Sequence, residues 1–124
     1  MSIRLAATIA LIGTLPACAA FATLRSNTYI EPGKAFLLGG NQTGSFSVKG
    51  RNAGRAAVIV YSELAGRRDS VTTLAPGATI DAEFPSRALA VFRNTSTSGG
   101  AELTLTVTGA TSGLGMRYET NAPR

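Results

Sequence analysis

Histidine is absent from this 124-residue chain, which removes the commonest general base and the commonest metal ligand. Tryptophan is absent too, and the single cysteine, Cys18, rules out a disulfide within the chain. Acidic residues number seven against twelve Lys plus Arg, and no loop is acid-rich enough to cage Ca²⁺. The glycine-rich stretches lack a following helix or a Lys-Ser/Thr pair, so no phosphate loop is indicated. Lysine itself is scarce: only Lys34 and Lys49 stand beside ten arginines. These shortages leave little chemistry for catalysis, and an enzyme, a metal site and a cofactor are not expected. The formal charge of +5 permits contact with anionic surfaces.

What is present begins with an N-terminal pattern of export. Arg4 precedes a largely apolar run over residues 5–15, followed by small residues. That run of eleven residues is well short of the roughly 20 that a spanning helix needs. Leu15-Pro16-Ala17-Cys18 resembles the lipobox of bacterial lipoproteins. The resemblance implies a signal peptide over residues 1–17, a lipid on Cys18 and a place in the bacterial envelope. Ala19, where Asp would direct retention at the inner membrane, favours the outer membrane on the same analogy. Ala20-Phe21-Ala22 offers a second, ordinary cleavage site, which would extend the signal to residues 1–22 and yield a periplasmic or secreted protein.

The remainder alternates apolar and polar residues between turn signals and shows no sustained helical period. The pattern predicts strands over residues 27–30, 35–38, 45–51, 55–64, 67–74, 79–84, 87–93, 102–108 and 114–118. Eight or so short strands at this spacing predict an all-β antiparallel sandwich over residues 27–118, with a tether over 18–26 and a disordered tail over 119–124. Phe46, Val48, Val58, Val60, Ile80, Phe84, Leu103, Leu105 and Val107 are the expected core. Asn52-x-Gly54-x-x-Ala57-x-Ile59-x-Tyr61, followed by Leu74-Ala75-Pro76-Gly77, resembles the rhythm of immunoglobulin-like modules of bacterial exported proteins. That resemblance implies an immunoglobulin-like sandwich and no particular function.

Several groups invite a site. Asp81 and Glu83 share a strand face, as do Ser47 and Lys49, and alternation alone accounts for both pairs as solvated surface. Thr104, Thr106 and Thr108 form an outward row of hydroxyls suited to sugars or ordered water, or simply to β-propensity. The richest constellation is basic. If Asn52-Ala53-Gly54 turns a hairpin and Ala65-Gly66 turns the next, Lys49, Arg51, Arg55 and Arg68 surround Tyr61 on one sheet face, with Glu63 nearby. Such a face would bind an anionic glycan or lipid headgroup.

Apolar runs over residues 56–61 and 88–92 predict strands covered on both faces, by a partner or by the chain's own groups. The expected role is therefore a non-enzymatic structural or protein-interaction module of the cell envelope, with anion binding as the alternative. Its partner would be another envelope protein or an anionic polymer. Membrane contact would come only through a lipid anchor, and nucleic acid is not an expected partner.

Overall fold

Side-chain alternation has the period of a pleated strand, and the computed structural model, which describes residues 23–120, builds every alternating run as one. Cys18 and both cleavage sites lie outside the described residues. The strands are β1 (Leu24–Ile30), β2 (Lys34–Gly39), β3 (Phe46–Asn52), β4 (Val58–Leu64), β5 (Arg67–Leu74), β6 (Thr79–Phe84), β7 (Leu89–Asn94), β8 (Ala101–Gly109) and β9 (Met116–Thr120). β1 starts inside the expected tether, because Leu24, Arg25 and Ser26 pair with Val107, Thr106 and Leu105. β9 likewise draws Glu119 and Thr120 out of the expected tail by pairing them with Ala35 and Lys34.

Two antiparallel sheets face each other, ordered β1-β8-β3-β6 and β5-β4-β7-β2-β9. All nine expected core residues lie buried between them. Phe46 stacks on Phe84 at 5.3 Å, and Phe36 meets Phe92 at 6.1 Å. The sandwich is therefore as the alternation predicts. Its connectivity is not that of an immunoglobulin-like module, whose sheets run ABED and CFG. Here β1·β8, β2·β7, β3·β6 and β4·β5 are nested antiparallel pairs. That is one long hairpin, folded at Ala65-Gly66 and rolled over on itself: a jelly roll with β9 added at one edge.

The hairpin expected at Asn52-Ala53-Gly54 does not form. β3 pairs with β6 and β8, and residues 53–57 carry the chain across to the other sheet. The Asn52 side chain explains the crossing. Fully buried, its Nδ2 donates to the carbonyls of Ala56 (2.8 Å) and Leu74 (2.9 Å), and its Oδ1 accepts from the Gly54 amide (3.0 Å). The amide thus ties the crossover to β5 and satisfies carbonyls that would each cost about 1–3 kcal/mol if left unpaired in the interior. Asn94 and Gln42, also buried, tie two further corners in the same way.

The Ala65-Gly66 turn forms as expected, with both residues at positive φ (55° and 79°). Glu63 faces Arg68 and Tyr61 faces Ser70, until Val71 bulges out of the ladder beyond them.

Candidate anion-binding face

Alternation points Lys49 and Arg51 of β3 away from the core, together with Thr104 and Thr106 of β8 and Arg25 and Asn27 of β1. Register then aligns them in two rows. Arg25, Thr106, Lys49 and Asp81 lie side by side, and Asn27, Thr104, Arg51 and Thr79 form the next row. Neighbouring strands lie about 4.8 Å apart, so Arg25 and Lys49 spring from Cα atoms about 10 Å apart on either side of Thr106. Three long cationic side chains therefore rim a patch floored by two threonine hydroxyls. The patch is a shallow depression of about 470 Å³. Among the described residues, no carboxylate forms an ion pair with Arg25, Lys49 or Arg51. Three open cations beside hydroxyls and an amide can take a phosphate, sulfate or carboxylate, with arginine forks bonding two oxygens at once.

The five residues expected to share one face are divided. Lys49 and Arg51 stay together. Arg55 lies in the crossover and lines an adjoining hollow with Tyr29 and Glu102. Tyr61 and Arg68 stand on the opposite sheet, because β4 does not pair with β3. Arg68 is also engaged, reaching Glu63 at 2.6 Å and Glu119 at 3.2 Å. Burial, the largest influence, pulls its guanidinium down. The hydrogen bonds and charges of Glu63 and Glu119 more than reverse this and leave it above the ordinary arginine value.

Tyr61 sits between two guanidinium groups, Arg68 and Arg93, each 5.9 Å from the ring centroid. Beneath it lies a second apolar cluster of Ala35, Leu37, Leu89 and Val91, buried on the outward side of β2 and β7. The 88–92 run is thus covered on its second face by the chain's own side chains, whereas Ala57, Ile59 and Tyr61 of the 56–61 run are half-buried.

Arg25 was missed because residues 18–26 read as tether. The signal was there: Leu24, Ser26, Thr28 and Ile30 alternate with Arg25, Asn27 and Tyr29. The Thr104–Thr106 row, read separately from the basic residues, turns out to be the floor between them. Asp81 and Glu83 are exposed, opposite Lys49 and Ser47. Comparison of the chain with protein-family models, with curated proteins and with solved structures finds no match, so the face is judged on its own chemistry.

Proposed function

We propose that this protein is a non-enzymatic module exported to the bacterial cell envelope, lipid-anchored through Cys18, that binds anionic groups of an envelope polymer or lipid headgroup on the outer face of the β1-β8-β3-β6 sheet. One observation carries the binding: Arg25, Lys49 and Arg51 line one depression with Thr104 and Thr106, and among the described residues no carboxylate forms an ion pair with them. By contrast Lys34, Arg67 and Arg68 each have one. The competing reading, a module that docks another protein on a sheet face, drew on strands apolar on both sides. On the outward side of β7, Leu89 and Val91 are buried within this chain, which weakens that motive there, while Ile59 and Tyr61 of β4 stay half-buried.

The test compares binding of the mature protein to heparin and to phosphatidylglycerol vesicles at two salt concentrations. Exposed contacts are screened, so affinity should fall steeply above physiological salt. Replacing Arg25, Lys49 and Arg51 by Glu should weaken binding about tenfold or more, the equivalent of about 1.4 kcal/mol. The same reversal at Arg67, Arg87 and Arg117 should do much less at equal net charge. Equal losses from the two triple variants would reduce the effect to net charge alone. For the anchor, the mass of the mature product should carry a lipid on Cys18. An unmodified N-terminus at Thr23 would reject the anchor.

A further inference from the structure

We infer that the basic patch is one end of a groove for a linear acidic polysaccharide whose charges are spaced by neutral sugars, with the ring of Tyr29 as the platform for one sugar; this rests on the anion-binding reading above. The patch adjoins a second hollow of about 380 Å³, with which it shares Asn27 and Thr104. That hollow in turn adjoins a third of about 330 Å³, sharing Tyr29, Ala53 and Glu102 and ending at Arg55. Along β1 the outward residues Arg25, Asn27 and Tyr29 follow one another at about 6.8 Å, so the path from Arg25 to Tyr29 covers about 14 Å. That is several times the width of one phosphate or carboxylate, so a lone anion would fill only one end.

The order of side chains along the path selects the polymer. Cations stand at both ends: Arg25, Lys49 and Arg51 at one, Arg55 at the other. Between them lie Thr104, Asn27 and the exposed carboxylate of Glu102. A carboxylate there accepts hydrogen bonds from sugar hydroxyls and repels a continuous line of charge, which argues against polyphosphate or a charged bilayer surface. Tyr29 is 52% exposed. One side of its ring is seated against Gly100, where a Cβ would collide with the ring atoms Cε1 and Cζ and with the hydroxyl. The hydroxyl end of the ring is therefore held by a residue that has no side chain, and about half of the tyrosine stays open to solvent. An exposed aromatic ring beside polar groups suits the C–H face of a sugar ring.

Hyaluronan di-, tetra- and hexasaccharides, with a carboxylate on every second sugar, are the probes, titrated by calorimetry beside polyphosphate of matched length and phosphatidylglycerol vesicles. The hexasaccharide should bind at least tenfold more tightly than the disaccharide and than polyphosphate. Tyr29→Ala should abolish this gain with length. Gly100→Ala, which only displaces the tip of a surface side chain, should reduce the gain without altering the unfolding midpoint. If polyphosphate or vesicles bind as well as the hexasaccharide, or if Tyr29→Ala and Gly100→Ala both leave the gain intact, the polysaccharide inference is overturned and the anion-binding face stands. If none of the three probes binds at low salt, both readings fall together.

Discussion

The outer faces of the two sheets use the same kinds of residue to opposite ends. On the β1-β8-β3-β6 sheet, Arg25, Lys49 and Arg51 stand open beside threonines, and half-exposed Tyr29 sits against Gly100 at the margin. On the β5-β4-β7-β2-β9 sheet, Arg68 and Arg93 flank Tyr61 over buried Leu37 and Val91, and Arg68 reaches from β5 to Glu119 on β9. Arginine and tyrosine thus serve as a binding surface on one side and as the lid of a small second core on the other. What separates the roles is the residue beneath: threonine under the first set, Leu and Val under the second. Long amphipathic side chains cover apolar surface when it is offered and extend into water when it is not.

This contrast can be broken most forcefully at its base. Leu37→Ala should cost about 3 kcal/mol in denaturant unfolding, as for a core leucine, because the lid cannot fill the space left behind. Thr104→Val at the exposed centre of the other face should stay within about 0.5 kcal/mol of the parent. Similar effects at both positions would dissolve the distinction. A smaller test removes one cation from each face. Arg68→Met should cost about 1 kcal/mol, modest because the pair is about one-third exposed, while Arg51→Met should change stability by less than about 0.5 kcal/mol. The sign of the Arg68 perturbation also matters. Its folded value is raised, so its stabilisation is present below the unfolded value and is lost only as pH rises through the folded one, far above neutrality. No part of that stabilisation should vary between pH 5 and 9 when unfolding midpoints are compared across this window. Smallest of all, Ala65 holds φ at 55° in the hairpin that closes the covered sheet, and Ala65→Asn should stabilise by about 0.5–1 kcal/mol, read as a higher midpoint of thermal unfolding.

Which side of each strand faces inward was legible because a period of two leaves only two choices, and burying Val48, Val58 or Leu105 decides between them. Which strand lies beside which was not. Asn52-Ala53-Gly54 has the composition of a tight turn, and nothing local distinguishes that turn from a corner. The difference lies in the Leu74 carbonyl, more than twenty residues away, which takes a hydrogen bond from Asn52. At Ala65-Gly66 the turn is local and the pairing followed from it. The site inherited the same divide. Lys49 and Arg51 are close in sequence and stayed together, whereas Arg25 joins them only through a strand pair spanning the fold, and Arg68 departs for the same reason.

The nested hairpin also bears on when the protein comes into being. β1 pairs with β8, so nearly the whole described chain lies between Leu24 and its partner Val107. Such pairing closes large loops and belongs to the slow end of single-domain folding, milliseconds to seconds. Until β8 arrives, β1 and β3 each lack the neighbour they share, and the chain presents unfinished edges. The basic patch is drawn from β1, β3 and β8 and exists only after that last closure, so ligand binding would report completed folding of the chain.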